Sequence, residues 1–115
     1  LLDSTLAKRG WLLVLLAAAC VSLYGLGRAP LVGADEPRYA EVAREMYARG
    51  DLVTPTLGGR TWFEKPALPY WTTMAGYGLL GVSEFATRLG TACAGVLTVW
   101  LLGVLAGACE RRGGA

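Results

Sequence analysis

From Leu89 to Ala108 the chain runs for twenty residues without a charged side chain. Helical at ~1.5 Å per residue, such a run is ~30 Å long, the thickness of a bilayer's hydrocarbon core. A second apolar run extends from Trp11 to about Gly27 and would cover ~25 Å. Arg28 at its far end can extend its charge into the interface along an apolar stem, and Ala29 to Ala34 are mild enough to lie there. Two such runs in 115 residues that are 54% hydrophobic predict an all-α integral membrane protein with two transmembrane helices, at 11–27 and 89–108. A net charge of +2 gives no reason to expect a nucleic-acid partner.

Lys8-Arg9 and Arg111-Arg112 stand at the outer ends of the two runs. Basic residues next to spans favour the cytoplasm, so an even number of crossings puts both ends of the chain there and residues 28–88 outside. That loop holds seven basic and seven acidic residues, yet it is long enough to cross largely regardless of charge. A rival reading of the first run is a lipoprotein leader ending at Ala17-Ala18-Ala19-Cys20. Against it, the position three before the cysteine is alanine rather than leucine, and the apolar run continues through Leu26. Two spans and one loop hardly enclose an active site, so the expectation is an N-terminal piece of a longer protein.

Within the loop, residues 37–49 are predicted to form a short helix. Pro37 suits a first turn and Gly50 a stop. Tyr39, Val42, Ala43, Met46 and Tyr47 make one apolar stripe, which could lie against the membrane surface. Residues 51–63 lose that period and read as loop, with Thr54-Pro55-Thr56 extended and Gly58-Gly59 turning. Residues 66–83 are uncharged but interrupted by Pro66, Pro69, Gly76, Gly78 and Gly81. Tyr70, Trp71 and Tyr77 favour interfaces, so 66–82 is expected as an interfacial helix rather than a span. Gly103 and Gly107 offer a small-residue face for another helix. Cys20, Cys93 and Cys109 have neither the number nor the spacing of a disulfide framework or zinc site and read as packing residues. The chain has no histidine, which excludes imidazole catalysis within it.

The chemistry is concentrated in two charged clusters beside prolines, Asp35-Glu36-Pro37-Arg38 and Glu64-Lys65-Pro66. Asp35-Glu36 can simply favour the positive end of a helix, or supply a carboxylate that orients or deprotonates an acceptor hydroxyl. Glu64-Lys65 can be an ordinary loop ion pair. Alternatively, the lysine holds a lipid phosphate as a point charge and the glutamate offers oxygen to a divalent cation. Neither cluster decides alone; in one loop they suggest a site for a phosphorylated lipid.

Gly33-Ala34-Asp35-Glu36-Pro37-Arg38-Tyr39 continuing to Met46, then Gly50-Asp51-Leu52-Val53-Thr54-Pro55, Phe63-Glu64-Lys65-Pro66-Ala67-Leu68-Pro69-Tyr70-Trp71, and Gly81 to Arg88 resemble one family in order and spacing. It is that of the bacterial aminoarabinose transferases and related polyprenyl-phosphate-sugar glycosyltransferases of GT-C type, kin to the protein O-mannosyltransferases. The resemblance implies a first outward loop with two juxtamembrane helices, in the inner membrane of a bacterium. Asp35 would be the catalytic base, with Glu36 its motif neighbour. Lys65, with Arg38 nearby, would hold the carrier phosphate, and Glu64 would help bind a divalent metal. The donor would be a sugar on polyprenyl phosphate and the acceptor a lipid, glycan or protein. Ala67 and Gly90 depart from the pattern, where proline is common. The competing expectation is a non-catalytic two-span anchor or interaction protein.

Overall fold

The computed structural model describes the backbone of residues 4–113 and the side chains of residues 8–110. The flanking Arg111-Arg112 pair therefore lies outside the described side chains. In chain order the elements are α1 (Ser4–Leu23), α2 (Asp35–Arg49), β1 (Thr56–Leu57), β2 (Arg60–Thr61), α3 (Ala67–Leu80) and α4 (Glu84–Gly113). The fold is mostly helical, but the all-α expectation misses an antiparallel hairpin that pairs Thr56 with Thr61 and Leu57 with Arg60. Its two-residue turn is Gly58-Gly59, both at positive φ, as a tight hairpin of right-handed twist requires.

Helix ends differ from expectation where short-range bonds intervene. α1 stops at Leu23 rather than Gly27, because Gly25 takes a positive φ and the Arg28 N–H turns back to the Gly25 carbonyl. α4 starts at Glu84, five residues before the uncharged run. The Ser83 hydroxyl accepts the Ala86 N–H at 3.2 Å and caps that end. Among the described residues, Glu84–Glu110 is the one helix long and apolar enough to cross a membrane, so the expectation of two is met by α4 alone.

The described chain divides into two units, one through Tyr24 and again from Ala92 onward, the other Gly25–Thr91. In the first, Trp11 occupies the space above Gly103, where a Cβ would fall 1.9 Å from the indole. The small residue at 103 is what lets the ring approach. Gly107 faces open space, and the three cysteines are free and exposed rather than packed.

The second unit has its own core of Val42, Ala43 and Met46 from α2, Tyr70, Met74 and Tyr77 from α3, and Ala86. The apolar stripe of α2 is therefore covered by the chain itself rather than turned to a membrane surface. Only Tyr47 at its end stays exposed. Aromatic side chains of α3 supply the area, and the Tyr77 hydroxyl ties the layers by bonding the Ala40 carbonyl and the Thr87 hydroxyl. Helix α3 spans ~21 Å, short of a bilayer crossing. Two glycines let α3 and the first turns of α4 touch: Gly76 lies against the Ala86 carbonyl and Gly90 against Thr72.

Candidate functional site

The site is built on the first turn of α2. Asp35 and Glu36 both belong to that turn, where the unpaired N–H groups favour negative charge. Neither caps the helix; the residue before them is Ala34, which has no side-chain bond to offer. Their neighbours separate their roles.

Asp35 is 70% exposed and pairs with the Arg38 guanidinium at 3.3 Å. Glu36 has both oxygens engaged. Oε1 accepts from Arg88 Nε at 2.6 Å, while Oε2 accepts from Arg88 Nη2 at 3.0 Å and from the Val32 N–H at 2.9 Å. These bonds, the arginine's first, hold the Glu36 carboxyl below the usual 4.5. Glu36 is an anchor whose two oxygens accept three hydrogen bonds, whereas Asp35 presents an open carboxylate.

The second cluster reaches α2 through the hairpin. Gly50 ends α2 in a left-handed conformation, and Asp51 caps the following turn by accepting the Val53 and Thr54 N–H groups. Glu45 then grips the hairpin tip, accepting the Gly58 and Gly59 N–H groups and the Thr56 hydroxyl. Arg49 adds bonds to the Thr54 carbonyl and the Thr56 hydroxyl. Pinned in this way, β2 leads Trp62 to Lys65 back along α2 toward its N-terminus.

There the two clusters meet. Glu64 Oε2 accepts from the Trp62 indole N–H at 2.9 Å and lies 3.5 Å from Arg38 Nη1; Oε1 accepts from the Tyr39 hydroxyl at 3.4 Å. Arg38 thus links Asp35 to Glu64, with its guanidinium 5.7 Å from the Trp62 ring centre. Lys65 Nζ stands 5.7 Å from the centre of the Tyr39 ring. The Tyr39 phenol, then Glu64 and Asp35, hold that ammonium above the usual 10.5, so it stays charged at any physiological pH. An open carboxylate and a permanent cation, thirty residues apart in sequence, share one exposed surface.

Of the residues singled out in sequence, Asp35, Arg38, Glu64 and Lys65 are brought together, and Glu36 is turned away to Arg88. Sequence reasoning gave no role to Tyr39, Trp62 or Arg88. In sequence Tyr39 is visible only as one member of an apolar stripe and Arg88 only as the last residue of a family motif. Glu64 offers a cation one carboxylate, and among the described residues no three acidic or thiol groups cluster as a metal site. These described residues by themselves do not fit a bound metal.

The chain is 40% identical over 100 residues to the undecaprenyl phosphate-alpha-4-amino-4-deoxy-L-arabinose arabinosyl transferase of Serratia proteamaculans, covering 86% of this chain and 18% of that protein. It is 46% identical over 68 residues to the transferase of the same name from Edwardsiella ictaluri, covering 59% of this chain and 12% of the relative. The chain thus spans less than a fifth of these relatives' length. Among solved structures, it matches ArnT from Cupriavidus metallidurans bound to undecaprenyl phosphate with a TM-score of 0.67 and 44% identity, over 76% of this chain and 16% of that one. The apo form of the same protein matches with a TM-score of 0.61. The family model of the dolichyl-phosphate-mannose-protein mannosyltransferases matches residues 10–113, nearly the whole chain, and to that family the chain belongs.

Proposed function

We propose that this chain is part of a membrane glycosyltransferase that moves a sugar from a polyprenyl phosphate to an acceptor hydroxyl or phosphate outside the cytoplasm. The observation that carries the reading is the meeting of Asp35, Arg38, Glu64 and Lys65 on one exposed face. The relatives' names, which specify an undecaprenyl phosphate-linked aminoarabinose, support a donor of that class.

In this reading Asp35 accepts or orients the proton of the acceptor hydroxyl. The acceptor oxygen attacks the anomeric carbon as the bond from that carbon to the phosphate oxygen breaks, with inversion. The products are the glycosylated acceptor and polyprenyl phosphate, and the proton leaves on Asp35. Charge grows on the departing phosphate, and Lys65, joined by Arg38, offsets it where it develops. Arg38 also holds the Asp35 carboxylate in place through their ion pair, while Glu64 balances the two cations. A lipid-borne donor suits this location, because nucleotide sugars are confined to the cytoplasm.

The membrane placement follows the same reading: α1 and α4 both cross the bilayer, the stretch between them lies on the extracytoplasmic face, and both ends of the chain are cytoplasmic. Leu12, Leu13 and Val21 on α1 and Leu101 and Leu102 on α4 are all at least half exposed, an arrangement lipid would cover. Leu68, Trp71 and Leu79 leave α3 an uncovered apolar side suited to the interface.

The test is Asp35→Asn in the full-length enzyme. Sugar transfer from the lipid-linked donor should be lost while expression and membrane insertion stay at wild-type level. A variant that transfers sugar at the wild-type rate overturns the base assignment and favours a non-catalytic anchor or interaction role.

A further inference from the structure

Arg88 is used by nothing in the reaction outlined above, yet its side chain makes five hydrogen bonds. A guanidinium has five N–H donors, and all five are committed. Nε and Nη2 grip the two oxygens of Glu36 at 2.6 and 3.0 Å. Nη1 donates to the carbonyls of Leu26 at 2.6 Å and Ala29 at 2.8 Å, and Nη2 to that of Pro30 at 2.9 Å. The side chain is 17% exposed. Residues 26–30 form no helix or strand, so these carbonyls have no ladder to satisfy them. One side chain at the start of α4 thus gathers the incoming segment and the first turn of α2, across 52 to 62 residues of sequence.

The consequence reaches Asp35. Glu36 is its immediate neighbour on a helical turn, so clamping the Glu36 carboxylate fixes both the roll of that turn and its distance from α4. Successive helical residues point ~100° apart. With Glu36 held inward, Asp35 faces Arg38 and the Glu64–Lys65 cluster. The Val32 N–H on Glu36 Oε2 locks the approach from the other side. We propose that Arg88 is a positioning residue for Asp35: through the Glu36 carboxylate and the carbonyls of Leu26, Ala29 and Pro30 it sets where the base stands. This rests on the reading of Asp35 as the base. Lysine can substitute only in part, since an ammonium has three donors and no planar fork to span both carboxylate oxygens and three carbonyls.

The experiment measures kcat and KM for a polyprenyl-phosphate-linked sugar with the purified full-length enzyme. The variants are Arg88→Gln, Arg88→Lys, Glu36→Gln, Glu36→Gln/Arg88→Gln and, in parallel, Asp35→Asn. Displacing a base by about 1 Å costs on the order of a hundredfold, so Arg88→Gln should lower kcat by about ten- to a hundredfold with KM nearly unchanged. Arg88→Lys should recover part of the loss. The double variant should be no slower than the worse single one, because both break the same clamp. Wild-type kcat in Arg88→Gln, a loss confined to KM, or losses that multiply in the double variant would each overturn the positioning role. If Arg88→Gln does not fold, Arg88→Lys and Glu36→Gln decide the matter by the same split. An inactive Asp35→Asn beside a fully active Arg88→Gln removes the positioning role and leaves the base. An active Asp35→Asn removes both.

Discussion

Two glycines in α3, Gly76 and Gly78, should respond in opposite directions to the same substitution. A Cβ on Gly76 would stand 2.4 Å from the Ala86 carbonyl oxygen and 3.2 Å from its carbon, and both atoms are backbone of α4. Ordinary contact begins near 3.4 Å, so α3 and α4 must part locally by about 1 Å. Ala86 is fully buried and Tyr77 bonds Thr87 across the same seam at 2.9 Å, so no soft side chain yields instead. Overpacking of this kind costs ~1–3 kcal/mol, and a strained Tyr77 bond adds about 1, against ~1 recovered from alanine's helix propensity. Gly76→Ala is therefore expected to destabilise by roughly 1–3 kcal/mol. At Gly78 the nearest atom is the Tyr47 ring at 3.8 Å, ordinary contact, so Gly78→Ala should stabilise by ~0.4–1 kcal/mol. Thermal and urea unfolding of the full-length enzyme, followed by tryptophan fluorescence, reads both. A Gly76→Ala protein as stable as the parent, or shifts of the same sign at both positions, would refute the packing argument. Because α3 follows directly on Glu64-Lys65-Pro66, Gly76→Ala should also lower transfer activity.

Lys65→Ala should weaken binding of undecaprenyl phosphate, measured by titration in nanodiscs, with Lys65→Arg retaining more of it; unchanged binding in Lys65→Ala contradicts the phosphate role. Acid should loosen the second unit. The carboxyls of Glu36, Glu41 and Glu45 are held below 4.5 chiefly by Arg88, Arg44 and the Thr56 hydroxyl, and that of Asp51 below 3.8 by the Thr54 N–H. A depressed folded value means that the stabilisation is complete above the unfolded value and is lost as pH falls through the folded one. Unfolding free energy should therefore decline as pH drops through and below the range 4.5 to 3.8, while Glu45→Gln shows a shallower decline. An acid slope unaltered by Glu45→Gln would show that the hairpin grip contributes nothing.

Much of this protein is dictated locally. Twenty uncharged residues from Leu89 to Ala108 can hardly be satisfied except as a helix in an apolar medium, whatever the rest of the chain does. The 3.6-residue stripe from Tyr39 to Met46 and the stop at Gly50 define α2, and the paired charges beside Pro37 and Pro66 mark the candidate site. Their reading depends on nearest neighbours along the chain.

What covers a stripe, and which charges meet, depends on partners far away in sequence. The α2 stripe packs on Tyr70, Met74 and Tyr77 rather than on lipid, because α3 brings more apolar area to it than sequence spacing reveals. Asp35 and Glu36 look equivalent side by side. Only the tertiary fold separates them, by giving one a committed guanidinium from 52 residues away and leaving the other beside Arg38, open to solvent. The hairpin was equally hidden, since two-residue strands carry no period of their own and depend on Glu45 gripping the turn. Periodicity and charge pairing are properties of short chain segments. Hydrogen-bond commitment is a property of the folded surface, and it decides which carboxylate is left open to solvent.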